Sequence, residues 1–308
     1  MTAGNNKKTV WAKLSVFSNL LLVVFKISVY FYSGAVSILS EAIHSAIDLI
    51  AAFIAYISVK KSSEPPDSEH PFGHGKFENL SGFIESLLII AAAVYIMYET
   101  IPKFYSGHEI EYLDAGMLVM AISAVVNFFV SRKLKSVADE TDSIAIETDA
   151  AHLSIDVYTS LGVFAGLLII RFTGLMILDP VISVLIAVYI LYLGYTLTQK
   201  SAKDLLDTRL SDDDNRKIEG IISEHIGKMV SFHKLATRKS GSDKMIEVHL
   251  QFTPEVSLKQ AHEIAHHIED DITGLINSSR VTIHIEPCEE VCKNCESSEC
   301  SSRKNHKP

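Results

Sequence analysis

The chain has 308 residues, is 48% hydrophobic and 21% charged, and carries a formal net charge of −9. That balance argues against nucleic acid as the main partner. The four cysteines all lie beyond residue 287, which excludes a fold stapled by disulfides.

Apolar residues crowd into the first two thirds, so the expectation is a membrane domain followed by a soluble one. Six apolar segments reach the roughly 20 residues that a bilayer crossing takes. They are residues 10–32, 36–59, 80–99, 115–131, 144–171 and 175–198. The first follows a polar N-terminus and has no small-residue cleavage pattern, so no cleavable signal peptide is expected. Lys26 in the first segment can snorkel or pair with a neighbour, and Glu85 in the third is a candidate partner. Asp179-Pro180 falls near the start of the sixth, where proline is tolerated. Cations mark one side of the membrane: Lys7, Lys8 and Lys13, then Lys60, Lys61 and Lys76, then Arg132, Lys133 and Lys135, then Lys200 and Lys203. The opposite loops are either uncharged, as in Ser33-Gly34-Ala35, or acidic, as in 107–114. The positive-inside rule then puts both termini in the cytoplasm of a multi-pass protein of the cell (inner) membrane.

After Asp207 the texture changes. Asp212-Asp213-Asp214 opens a helix predicted to run to about residue 226, with acids at its positive end. Strands are predicted over 232–238 and 245–252, joined by a turn over 239–243. An amphipathic helix over 258–275 closes at Gly274 or Asn277, and a last strand covers 281–286 before Pro287 ends regular structure. The order αββαβ is a small α+β domain. The domain boundaries are therefore 1–206, 207–287 and a polar tail, 288–308.

Chemistry concentrates first at His44 and Asp48, one helical turn apart in an apolar span. The same spacing returns at His152 and Asp156. A single pair of this kind is usually an internal hydrogen bond, but ionisable groups are expensive in a membrane, and two identical pairs favour a shared ion site. Two imidazoles and two carboxylates suit tetrahedral Zn²⁺, and the carboxylates cancel its charge. These ligands must be deprotonated to bind, so protons and metal compete, as a proton-coupled exchanger requires. A second set, Asp67, His70 and His74, lies in a short loop bent by glycine and proline, and reads either as a Zn²⁺ site or as a solvated acidic turn.

These motifs, with the His70–Lys76 run His-Pro-Phe-Gly-His-Gly-Lys, Asp179-Pro180 and the αββαβ order, resemble the cation diffusion facilitator family up to about Pro287. The resemblance implies proton-coupled export of zinc and related divalent metals by a homodimer. It also implies six spans in an all-α membrane domain, followed by a ferredoxin-like, metallochaperone-like cytoplasmic domain. His44, Asp48, His152 and Asp156 would form the transport site, and Asp67, His70 and His74 a loop site. His233, His249, His262, His284 and Glu286 match ligands of a two-metal cluster at the cytoplasmic dimer interface, with Glu286 where Asp is common. Lys76 and Asp207 would form a charge interlock between protomers. His44 resembles zinc-preferring members, so Zn²⁺ is expected first, with Cd²⁺, Co²⁺ or Fe²⁺ weaker.

Three other readings compete. A membrane metal sensor would bind without moving the ion. His262-Glu263-Ile264-Ala265-His266 fits the H-E-x-x-H of zinc peptidases, but so small a domain offers no deep cleft, and no enzyme is expected. Cys288, Cys292, Cys295 and Cys300 could fill a zinc site of their own or belong to an unconstrained tail; only Cys292-x-x-Cys295 has standard spacing.

Overall fold

The computed structural model describes residues 3–33, 36–103, 113–173, 177–227, 229 and 231–288. Two compact units result, Met1–Leu205 and Leu206–Pro308.

The first unit is all-helical: α1 (Ala3–Ser33), α2 (Val36–Ser62), α3 (Lys76–Lys103), α4 (Leu113–Thr141), α5 (Ile144–Thr173) and α6 (Leu178–Leu205). Over the described residues, α1, α2, α3 and α6 are long and apolar enough to cross a membrane. Most helices outrun their apolar segments, α4 by ten residues at its C-terminal end (131 to 141). Hydropathy reports where lipid solvates a helix, whereas backbone hydrogen bonding continues into water. Large apolar side chains such as Phe17, Leu21, Ile47, Phe53, Leu87, Phe129 and Leu185 point outward, as a hydrocarbon solvent demands.

Inside, one cluster joins Ala12, Val59, Leu134, Val137, Ile146 and Leu153, and another joins Ile89, Ala93, Ile155, Ile190 and Leu197. Helix α5 contributes to both, so its remaining polar positions are held between two packed layers. Gly194 lets α6 approach α3 closely: a Cβ there would stand 2.8 Å from Ile90 Cγ1. The Lys8 ammonium donates to Glu78 at 2.6 Å, both groups buried, and Ser62 also donates to Glu78 at 2.6 Å, tying α1 and α2 to α3. The pairing considered for Lys26 and Glu85 is replaced by others: Lys26 donates to Ser45 at 2.8 Å, and Glu85 accepts from Ser81 at 3.0 Å, one turn away on its own helix.

The second unit follows the predicted order: α7 (Asp212–Glu224), β1 (Ser231–Ser240), β2 (Asp243–Phe252), α8 (Leu258–Leu275) and β3 (Ser279–Pro287). The sheet order is β1-β2-β3, with β1 antiparallel and β3 parallel to β2. Helix α8 makes the crossover that the parallel pair requires. Ile218 and Ile222 of α7 and Ala265, Ile268 and Ile272 of α8 join Ile246, Val248 and Leu250 of β2 in one core. Three details differ from expectation. The hairpin turn shrinks to Gly241-Ser242, because the ladder runs on to Ser240 opposite Asp243 and Gly241 takes φ +63°. Helix α7 stops at Glu224, with His225 as its C-cap. Helix α8 ends at Leu275 with Ile276 as its C-cap, and the left-handed residue that redirects the chain is Ser278 (φ 55°), not Gly274 or Asn277.

Candidate metal centre

Packing of α2 against α5 brings the two His-x-x-x-Asp pairs face to face. Asp48 Oδ1 stands 3.0 Å from His152 Nε2 and 3.9 Å from His44 Nε2; His44 Nε2 is also 3.9 Å from Asp156 Oδ1. A tetrahedral Zn²⁺ with bonds of about 2.0–2.1 Å needs its ligand atoms about 3.3 Å apart, a value these distances bracket. Asp48, His152 and Asp156 are largely buried, with side chains 5%, 13% and 16% exposed, while His44 is half-exposed, so the group is open on the His44 side. A residue the sequence reading missed, Asn127 of α4, donates to Asp156 Oδ2 at 3.3 Å. Its signal was an amide within an apolar span.

The loop between α2 and α3 gathers the second set. Asp67 Oδ1 accepts from the backbone N–H groups of Glu69 (3.0 Å) and His70 (2.6 Å), which hold its carboxyl below the usual carboxylate range, the His70 bond most of all. Gly73, at φ +91°, turns the chain so that His74 faces back. His74 Nε2 then lies 3.1 Å from Asp67 Oδ2, and His70 Nδ1 lies 3.4 Å from Asp67 Oδ1. Neither approach is aligned as a hydrogen bond: His70 Nδ1 and both nitrogens of His74 are buried with no hydrogen-bond partner. Orphaned imidazole nitrogens beside a carboxylate fit a cation site better than a self-satisfied turn.

In the second unit, strand register sets His233 opposite His249 and His249 opposite His284. A bulge follows His233, with Lys234 at φ 50°. Glu286 lies 2.9 Å from His233 Nε2 and 3.2 Å from His249 Nδ1, and accepts from Gln251 at 3.0 Å. The His249 bond holds its carboxyl below the usual range, assisted by Gln251 and His233. His284 is mostly exposed and sits 3.9 Å from Glu286. Within one chain His262 is not gathered with these residues; it is exposed on α8, its ring 6.3 Å from that of His266. His266 pairs with Asp270 at 3.3 Å. Cys288 is buried, its N–H donating to Phe252 O at 2.7 Å, whereas Cys292, Cys295 and Cys300 lie outside the described residues. Lys76 donates to the carbonyls of Asp204 and Leu205, a cation at the negative end of α6. Asp207 accepts from Arg238 at 3.2 Å.

An apolar-surfaced bundle enclosing imidazoles and carboxylates defines an integral membrane protein built to handle cations. Residues 12–206 match the family described as the cation efflux transmembrane domain, and residues 210–288 match the cation efflux protein cytoplasmic domain. An uncharacterized transporter of Synechocystis, sll1263, is 31% identical over 91% of this chain and 90% of its own length. The cation-efflux pump FieF of Cronobacter sakazakii is 31% identical over 88% of this chain and 90% of its own. A solved structure of CzrB in its Zn form is 26% identical over 28% of this chain and 99% of that one, with a TM-score of 0.27. The chain belongs to the cation efflux family, also called cation diffusion facilitators, whose members are transporters rather than enzymes. The H-E-x-x-H run of α8 is accordingly a surface feature of a transporter's domain.

Proposed function

We propose that the protein exports divalent cations from the cytoplasm in exchange for protons, with Zn²⁺ as the preferred substrate and Cd²⁺, Co²⁺ and Fe²⁺ as weaker ones. The observation that carries this reading is the meeting of His44, Asp48 and Asp156 from two helices in one cluster, open on the His44 side, with His152 joined to it through Asp48. Their two carboxylates neutralise a divalent charge, and their imidazoles disfavour hard Mn²⁺. Because the ligand atoms also bind protons, acidity on the far side displaces the cation, and rocking of the helices presents the same four groups to each side in turn. Both termini lie in the cytoplasm of the inner membrane, following the basic loops.

Asp67, His70 and His74 would hold one further Zn²⁺, and His233, His249, His284 and Glu286 would hold Zn²⁺ in the cytoplasmic domain, with His262 joining from across a homodimer. In those places the ion supplies cross-linking charge that tightens the dimer and favours the transporting state. Lys76 and Asp207 would interlock the protomers at the membrane surface.

The test is Zn²⁺ accumulation by proteoliposomes under an imposed pH gradient. The wild type concentrates Zn²⁺ and Asp48→Asn abolishes accumulation. Stoichiometric binding without accumulation identifies a sensor and overturns the proposal, as does faster movement of Mn²⁺ than Zn²⁺.

A further inference from the structure

We propose that Asn127 is a specificity-determining positioning residue: it occupies the second oxygen of Asp156 and so restricts that ligand to a single bond with the transported cation. The inference rests on the four-ligand transport site proposed above. Asn127 lies on α4, outside the two helices that carry the ligands, and is buried at 5% exposure. Its Nδ2 donates to Asp156 Oδ2 at 3.3 Å. The other oxygen, Oδ1, is the one that faces His44, 3.9 Å from its Nε2. One carboxylate therefore has two oxygens in two settings, one turned toward the other ligands and one engaged by an amide. The amide's own Oδ1 is buried with no hydrogen-bond partner. Asn127 thus gains little for its own fold from its polarity, and its bond to Asp156 is the interaction that a leucine of similar size would lose.

The chemical consequence concerns coordination number. Zn²⁺ is content with four ligands, one bond from each. Larger cations with more flexible shells raise their coordination by taking both oxygens of a carboxylate, as Ca²⁺ does. A donor held on Oδ2 competes with that second bond. Asn127 therefore keeps the site at four donors, and its removal frees a fifth. Hydrogen-bond partners of metal ligands commonly change metal affinity about 10- to 100-fold when lost, which sets the size of the expected effect.

The experiment measures initial rates of Zn²⁺ and Cd²⁺ flux, as KM and kcat separately, in proteoliposomes of the full chain carrying wild type, Asn127→Leu, Asn127→Gln or Asp156→Ala. Asn127→Leu is expected to raise KM for Zn²⁺ about 10-fold while leaving KM for Cd²⁺ unchanged or lower, so that the preference for Zn²⁺ falls about 10-fold. Asn127→Gln, which keeps an amide on a longer stem, is expected to recover part of the preference. A structural defect would slow both ions equally and leave the KM ratio in place; that outcome, or an unchanged ratio at full flux, overturns the inference. Asp156→Ala separates the two levels. If it abolishes flux of both ions while Asn127→Leu preserves the ratio, only the inference fails; if it leaves flux intact, the transport-site reading itself fails.

Discussion

His74 shows how a single side chain can be placed for a role the apo protein does not reward. Its ring packs against those of Phe77 and His70, 2% exposed, with both nitrogens lacking hydrogen-bond partners. Burying such groups unsatisfied costs about 1–3 kcal/mol. His74→Phe should therefore stabilise the metal-free protein by about 1 kcal/mol, seen as a higher melting temperature, while abolishing Zn²⁺ binding by the loop. A lower melting temperature would mean that the ring is satisfied by something other than a cation. At this scale the sequence was informative where ligands share one helix or one short loop. Spacing of four residues puts His44 with Asp48 and His152 with Asp156 on common faces, and a tight loop cannot keep Asp67 far from His74. Asn127 escaped notice because its partner lies on another helix, and helical periodicity carries no information about what a neighbouring helix presents.

Among the elements, helix α8 covers the span its amphipathic pattern predicts, and its start is fixed chemically. Ser257 accepts from the N–H of Gln260, whose side chain accepts in return from Ser257 N–H, and Ala261, Ala265, Ile268 and Ile272 form the buried face. Ser257→Ala should cost about 1 kcal/mol, read as faster amide exchange over the first turn of α8. Helix α7 offers an acid-dependent counterpart. Lys217, 2.6 Å from Asp213, holds that carboxyl below the usual range. A depressed folded value means that the stabilising share is complete above the carboxylate's ordinary range and is lost as pH falls through the lower value. Exchange in the first half of α7 should therefore quicken on acidification below about pH 4 in the wild type, and Asp213→Asn should weaken that dependence. The sheet was harder to foresee. Alternation placed His284 and Glu286 on one face, but a strand's register is not written in its own residues. Only the pairing of β1, β2 and β3 reveals that His233, His249 and His284 stand in a row with Glu286 beside them.

For the molecule as a whole, the division into an apolar bundle and a mixed α+β unit was readable, because a bilayer and water demand opposite surfaces. The helix ends beyond the apolar segments were not, since charged residues there are compatible with helix and loop alike. What the sequence could not supply is why α5 is the helix that matters most. Among the described residues it is the helix that takes part in both packed clusters of the bundle, through Leu153 in one and Ile155 in the other, and both lie between His152 and Asp156. A ligand pair on a helix packed in this way is carried along when that helix moves, as the alternating access proposed above needs. The proposed transport site puts one ion where α2 meets α5. An anomalous-difference map recorded at the zinc edge from crystals grown with Zn²⁺ tests it most directly. The expected result is a peak bonded to His44, Asp48, His152 and Asp156. Peaks confined to the Asp67 loop and the Glu286 cluster, with none between α2 and α5, would contradict it.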